Sequence, residues 1–372
     1  MKKVLMLLNN HYSHDPRVTA EAESLIKYGF EVKVIAWDKK RKYLPHEIIN
    51  NVEVIRIRIP KILDKLIPFE LLKVPIWQVM AYKKAMELYK HWKFEVVHVH
   101  DWPDLPPGSW LKKKLKVKLL YDSHEVWTYM FIGGKLPRII SEFLFKERYL
   151  ISKYVDVLIT VGKEYKRYFL PLFPKVIIIT NSKTRVQVWS RPKTKTLRLV
   201  YIGGFDSERC LYEITNAIKD LCYAELILAG AFPEHFKKLI SKRDNIKYLG
   251  IIPKELVLEK TLFSNIVFYV FRDKVPLYKI GMPNKLFEAI ATGRMSLAGK
   301  NTDSGRFVEE YKIGISISCD KKEIKKVLGL LRENPKLIIK FGRRAYKVGK
   351  KYNWNNESKK LVGIYKKLIG GI

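Results

Sequence analysis

Cysteine is scarce in this chain of 372 residues: Cys210, Cys222 and Cys319 are far apart and odd in number. No C-x-x-C pair exists, which argues against a zinc site and a disulfide framework and suits a reducing compartment. Long apolar runs are also missing. Val4–Leu8 is too short for a signal peptide and closes on Asn9 and Asn10. The most apolar stretch, Leu66 to Ala81, is broken by Pro68, Glu70, Lys73 and Pro75, so no transmembrane helix is expected and the chain reads as cytoplasmic. The dinucleotide fingerprint G-x-G-x-x-G is absent. Acidic residues are the last deficit: 37 against 71 basic ones leave a net charge of +34. Such a surface attracts polyanions, whether nucleic acid, anionic lipid or phosphate-bearing substrates. No nucleic-acid module is recognisable, so a specific nucleic-acid partner is not expected.

What is present is an alternation of strands and helices, twice over. Apolar segments at Lys3–Leu8, Glu31–Trp37, Val52–Ile59, Val96–His100, Lys118–Tyr121, Val157–Val161 and Val176–Thr180 read as strands, with helices at Pro16–Tyr28, about Leu63–Trp92 and near Pro106–Lys114. Short apolar strands between helices imply a parallel sheet covered on both faces. A polar, basic stretch, Asn181 to Thr196, lacks periodicity and reads as a linker. The pattern then restarts, with strands at Leu197–Ile202, Glu225–Ala229, Ile246–Leu249, Ile266–Val270, Met295–Ala298 and Ile315–Ile317. The fold class is α/β, with two doubly wound Rossmann-like domains expected at residues 1–185 and 186–352. An amphipathic final helix carries Leu361, Ile364, Tyr365 and Leu368 within 353–372. In open α/β folds ligands bind beyond the carboxyl ends of the strands.

Met282-Pro283-Asn284-Lys285-Leu286-Phe287-Glu288-Ala289-Ile290-Ala291-Thr292-Gly293 reads as a loop entering a helix. Pro283 suits the first turn, Leu286, Phe287, Ile290 and Ala291 share a core face, and Gly293 is a stop. Asn284, Lys285 and Glu288 stand near a helix N-terminus, where a phosphate is favoured and a carboxylate could hold a sugar diol. The bland alternative is an amphipathic helix with one cap and one solvated Glu.

This segment resembles the nucleotide-sugar loop of glycosyltransferase family 4, the large retaining GT-B group, in its branch with a P-N-K-L-F-E core. The resemblance implies two domains facing across a cleft, with the last helix crossing back to the first domain. It also implies a retaining, metal-independent transfer from a nucleoside diphosphate sugar to a glycan or lipid-linked acceptor, with no other cofactor. Glu288 would hold the ribose hydroxyls. The family's earlier Glu is Ile280 here, which leaves that residue's role without a carrier.

Other segments fit the resemblance. Tyr201-Ile202-Gly203-Gly204-Phe205, with Arg209, resembles the first phosphate-binding turn, Cys210 standing where a Gly is usual. It also reads as a tight turn with an exposed Arg. Val97-His98-Val99-His100-Asp101 ends a strand. Strand alternation puts both histidines on one face, which leaves a metal site open as an alternative. By resemblance His100 faces the donor sugar and His98 packs inside. Tyr121-Asp122-Ser123-His124-Glu125 resembles the D-x-H-E segment of the acceptor side, although Asp122 or Ser123 also suits a helix N-cap. Asp15-Pro16-Arg17-Val18 resembles the branch's D-x-R-V start, placing Arg17 before an anionic acceptor. Asp303-Ser304-Gly305 resembles the loop beneath the transferred sugar and equally an ordinary turn.

The expected catalytic set is thus His100, His124, Arg209 and Lys285. Donor binding falls to Gly203, Gly204, Arg209, Pro283, Asn284, Lys285 and Glu288, and the acceptor side to Arg17, Asp101, His124 and Glu125. Lys112–Lys118 and Lys61–Trp92 (with Trp77, Tyr82, Tyr89 and Trp92) interleave basic and apolar residues. Such segments can lie on an anionic membrane, here its inner face, or form a solvated basic surface. A basic nucleic-acid- or membrane-binding protein without transferase activity is the competing reading.

Overall fold

The computed structural model describes residues 1–13, 15–126, 153–273 and 276–370. They fall into two compact units, Met1–Ile179 with Ser358–Ile372, and Thr180–Glu357. The first contains β1 (Lys2–Leu8), α1 (Pro16–Lys27), β2 (Phe30–Trp37), β3 (His46–Ile49), β4 (Val52–Ile57), α2 (Lys61–Leu66), α3 (Glu70–His91), β5 (Val96–His100), α4 (Leu105–Leu115), β6 (Lys118–Ser123), β7 (Val157–Thr160), α5 (Lys163–Phe169) and β8 (Val176–Ile178). The sheet order is β3-β4-β2-β1-β5-β6-β7-β8. Among the described residues only the β3–β4 pair is antiparallel. β1 lies in the middle, and Val4 to Leu8 are buried on both faces, as an unbroken apolar run should be. α1 begins where the Asp15 side chain accepts from the backbone N–H of Arg17 and Val18, and Pro16 presets the first turn.

The short strand β3 was not legible as a strand; the sequence there reads as a charged loop. Asn50 and Asn51, both at positive φ (50° and 65°), close it onto β4 in a two-residue hairpin. The long basic segment is split. Pro68 separates α2 from α3, and α3 then runs through Pro75.

The second unit contains β9 (Leu197–Ile202), α6 (Leu211–Ile218), β10 (Ala224–Ala229), α7 (Glu234–Ile240), β11 (Ile246–Tyr248), α8 (Leu256–Phe263), β12 (Ile266–Tyr269), α9 (Pro276–Ile280), α10 (Asn284–Thr292), β13 (Met295–Gly299), α11 (Asp303–Tyr311), β14 (Gly314–Ile317), α12 (Lys321–Glu333) and α13 (Pro335–Val348). The final helix, α14 (Trp354–Gly370), starts in this unit and ends in the first. The order β11-β10-β9-β12-β13-β14 is wholly parallel. Alternation along β9 divides the core: Leu197, Leu199 and Tyr201 pack on one face, Val200 on the other with Val267, Leu286 and Phe287.

Two expectations are corrected. The stretch 181–196 is not a free linker, because it is bonded to the second unit. Val186 N–H donates to Ala291 at 3.1 Å, Trp189 Nε1 to Gly293 at 3.2 Å, and the Arg294 guanidinium to Ser190 O at 2.9 Å. The compact division accordingly falls at 179/180 and not at 185/186. The cysteines are not all free thiols either. Cys210 and Cys319 form a disulfide across 109 positions of sequence, and Cys222 is left free and exposed. Spacing rules see only near neighbours, and these two meet through the sheet.

Candidate active site

Both sheets reverse direction of growth at their first strand, between β1 and β5 in one unit and between β9 and β12 in the other. Loops at such switch points open the crevice where α/β sheets bind ligands. The site residues expected from sequence cluster at these two places.

In the second unit, β9 ends in Gly203 and Gly204. Gly203 has φ +153°, and a Cβ there would stand 2.6 Å from Lys285 Nζ. The glycine therefore admits the lysine to the turn. Gly230 does the same for Gly203: its own Cβ would meet the Gly203 carbonyl oxygen at 2.0 Å. Sequence reading missed Gly230, although its place after β10 was the available signal. Tyr201 Oη donates to Gly204 O at 2.6 Å and accepts from Arg209 Nη1 at 3.1 Å. The Lys285 ammonium lies 4.3 Å from the centroid of the Tyr201 ring. Tyr278, stacked on Phe271 at 5.2 Å, donates to Asp206 at 2.7 Å.

Arg209 ends a single 3-10 turn, Ser207–Arg209, begun by the Asp206 side chain accepting from Glu208 N–H. Cys210 follows with φ +51°, the left-handed conformation that a glycine would adopt freely. The Cys210 sulfur is bonded to Cys319.

Pro283 is the N-cap of α10, one place before the first turn where sequence reading put it, and Gly293 closes the helix at φ +65°. Asn284 Oδ1 accepts from Lys183 Nζ at 2.9 Å. Lys285 and Glu288 are buried. Burial, then the nearby Arg209, lowers the Lys285 ammonium to about 8. Burial raises the Glu288 carboxyl, with Lys183 and Lys285 opposing. Among the described residues no ion pair joins Lys285 or Arg209 to a carboxylate. The result is a glycine turn and a helix N-terminus carrying unneutralised positive charge, the chemistry that takes a phosphate.

The first unit presents the reverse. Arg17 grips Asp122 with two bonds, Nε to Oδ2 at 2.9 Å and Nη2 to Oδ1 at 3.0 Å. Its Nη1 donates to Ile179 O at 2.9 Å, and Glu21 lies 3.1 Å from Nε. The guanidinium is buried and committed inside the protein, and acts on Asp122 instead of lying open to an acceptor. His124 Nε2 is 2.8 Å from Asp122 Oδ2, and Asp101 Oδ1 accepts from His124 N–H at 3.0 Å. Asp101 has φ +62°, an unfavourable backbone for a non-glycine residue at the end of β5.

The electrostatics follow from these contacts. Burial alone would raise Asp122, yet Arg17 and His124 hold it well below the usual carboxylate range. Burial opposes charge on His124, but Asp122 and then Asp101 raise it to about 10. Burial lowers His100 to about 3, against Asp122, so its imidazole is neutral. His98 is likewise neutral and hydrogen-bonds Tyr365 Oη through Nδ1 at 2.7 Å. His100 is fully buried beneath His124, their rings 5.6 Å apart, and of the two only His124 keeps exposed surface. Glu125 follows on the half-buried loop, where its carbonyl accepts from Ser123 Oγ at 2.8 Å. A helix cap by Asp122 or Ser123 falls partly on residues outside the described ones.

Glu21, His98, His100 and Asp122 place ligand atoms within 4.8 Å of one another, a metal-like set. Arg17 Nε already lies between the two carboxylates, at 3.1 and 2.9 Å, in the place a cation would take. Glu21 was missed in the sequence, although it stands one helical turn from Arg17. Cys210 and Cys319, which approach Glu213, are bonded to each other and offer no thiolate. Asp303-Ser304-Gly305 is the first turn of α11, with Thr302 Oγ1 accepting from Gly305 N–H at 3.0 Å.

Two doubly wound units of this kind define the GT-B glycosyltransferase fold. Sucrose-phosphate synthase from Thermosynechococcus elongatus superposes with a TM-score of 0.81 at 14% identity, covering 100% of both chains. Anabaena HepE in complex with UDP and glucose gives 0.73 at 11%, covering 99% of this chain and 100% of its own. A glycosyltransferase from Rickettsia africae gives 0.72 at 13%, covering 99% and 98%. No curated protein matches the sequence. The family model described as Glycosyltransferase Family 4 matches residues 17–183, a little under half of the chain.

Proposed function

We propose that this glycosyltransferase moves a sugar from a nucleoside diphosphate sugar to a glycan or lipid-linked acceptor, with retention and without a metal ion. The observation that carries the reading is the pair of unneutralised cations, Lys285 and Arg209, at the Gly203 turn and the start of α10. HepE is a structural neighbour that binds UDP and UDP-glucose, which supports a donor of this class.

As the bond from the sugar C1 to the diphosphate breaks, negative charge grows on the leaving oxygen. Lys285 and Arg209 stabilise it, the work a metal ion does in other enzymes. Gly203 and Gly204 let the backbone approach the phosphates, and Pro283 and Asn284 open the helix end toward them. Glu288 accepts from the ribose hydroxyls. In the same-face route the acceptor oxygen bonds to C1 and its proton passes to the departing diphosphate. On the acceptor side His124 is the group with a face to offer. Arg17 and Asp101 position it through Asp122 and the backbone, His100 supports it from below, and Glu125 contributes next to it.

Glu288→Ala is expected to weaken UDP binding by about tenfold to a hundredfold, the worth of one or two hydrogen bonds to a charged group. Calorimetry with EDTA present checks this, and proton NMR of the product reports the anomer. Unchanged UDP affinity in Glu288→Ala would falsify the donor-site assignment, and an inverted product would remove retention.

A further inference from the structure

The first unit carries an apolar surface that its core does not use. α2 has no buried residue, and the turn joining it to α3 is open as well. Within this stretch Ile62, Leu66, Phe69 and Leu72 are 73%, 71%, 68% and 59% exposed, and Leu63 and Leu71 are exposed beside them. Single exposed leucines are ordinary, whereas six large apolar side chains within eleven residues form a patch that calls for a covering partner.

The aromatic residues that mark this segment in the sequence are not the exposed ones. Trp77 and Trp92 are buried, their ring N–H groups donating to Asp104 at 2.7 Å and Glu31 at 2.5 Å. The surface is instead made by the aliphatic turn that precedes them.

Its surroundings are cationic. Lys39 pairs with Glu70 at 2.6 Å and Lys73 with Asp64 at 2.6 Å, so the loop 39–42 lies beside this turn and both acids of 61–73 are already neutralised. Segments 39–42 and 61–73 together hold seven basic and two acidic residues. A second copy of a chain bearing +34 would be repelled from such a face, whereas an anionic lipid surface would be attracted to it.

We infer that the α2–α3 turn is a membrane-docking element. Ile62, Leu66, Phe69 and Leu72 enter the headgroup–acyl boundary of an anionic bilayer while Lys61, Lys65 and the 39–42 loop engage lipid phosphates. This element is separate from the donor site.

The test is co-sedimentation of the full chain with phosphatidylcholine vesicles, with and without phosphatidylglycerol, at physiological salt. Wild type should partition onto the anionic vesicles and much less onto the neutral ones. Ile62→Ser/Leu66→Ser/Phe69→Ser, which keeps every charge, should lose about tenfold or more in partitioning. Lys61→Ser/Lys65→Ser should lose about fivefold per lysine. UDP affinity and melting temperature should stay unchanged in both, because these side chains touch neither core nor donor turn. Equal binding by the triple variant would show charge attraction without insertion and overturn the inference. So would absent binding by wild type, or a wild-type dimer that the triple variant abolishes. Failure of wild type to bind UDP would sink the proposed donor site and leave the docking result standing.

Discussion

The same reversal of strand order at the first strand ends in opposite electrostatics in the two units. At the ends of β5 and β6 the cations Arg17 and His124 are matched by the carboxylates of Asp122, Glu21 and Asp101. At the end of β9 the cations Lys285 and Arg209 face tyrosines, glycines and a helix N-terminus, with Glu288 acting on Lys285 from beyond ion-pair distance. A matched network fixes geometry through its own pairs, here Arg17–Asp122 and His124–Asp122, while burial holds the Glu21 carboxyl well above the usual range. An unmatched one stores an unfavourable arrangement that an anionic ligand relieves, which the depressed Lys285 ammonium registers. Topology offers both places as ligand sites, and on the proposed reading side-chain charge decides which one takes the phosphate.

If the first unit's network is structural, removing its cation should cost the most. Arg17→Met leaves the buried Asp122 with His124 alone and Glu21 without its nearest cation, and should destabilise the protein by about 3–5 kcal/mol, as for other broken buried pairs. Chemical denaturation measures this. A loss below about 1 kcal/mol would mean that the network is not structural.

The second unit should answer in binding more than in stability. Gly203→Ala would drive a methyl toward the mobile end of Lys285, 2.6 Å away, at a φ of +153° that L residues avoid. UDP affinity should fall about tenfold, the share of one displaced charged contact, with a smaller change in melting temperature. The reverse ranking would place the glycine's role in folding.

A further effect is a pH dependence. The folded His124 titrates at about 10, above its ordinary 6.5, so its contribution is complete below pH 6.5 and lost as pH rises through about 10. Wild type should therefore lose more melting temperature across that window than His124→Gln. Parallel curves would remove the Asp122–His124 pairing from the account.

The sequence made much of this legible, for identifiable reasons. Buried parallel strands are mostly apolar, so β1, with the unbroken run Val4–Leu8, stands out, and β5 and β9 follow with few polar interruptions. The Pro283–Gly293 helix carries both of its boundary residues. β3 was hidden because its pairing depends on a two-asparagine turn among charges. Gly230, Glu21 and the Cys210–Cys319 bond were hidden because each matters through a residue brought near by the sheet or by one helical turn. The commitment of Arg17 could not be read either: a lone arginine beside a proline looks like a surface cation until Asp122 arrives from over a hundred residues away.

The most direct test of the charge comparison is UDP titration by calorimetry at pH about 8, in two buffers of different ionisation enthalpy, on wild type and Lys285→Gln. Diphosphate binding should recharge the half-neutral lysine, giving wild type an uptake of up to about half a proton. Lys285→Gln should show no uptake and at least about tenfold weaker binding. Equal affinity and equal proton uptake in the two proteins would contradict the claim that the unmatched cations of the second unit hold the donor.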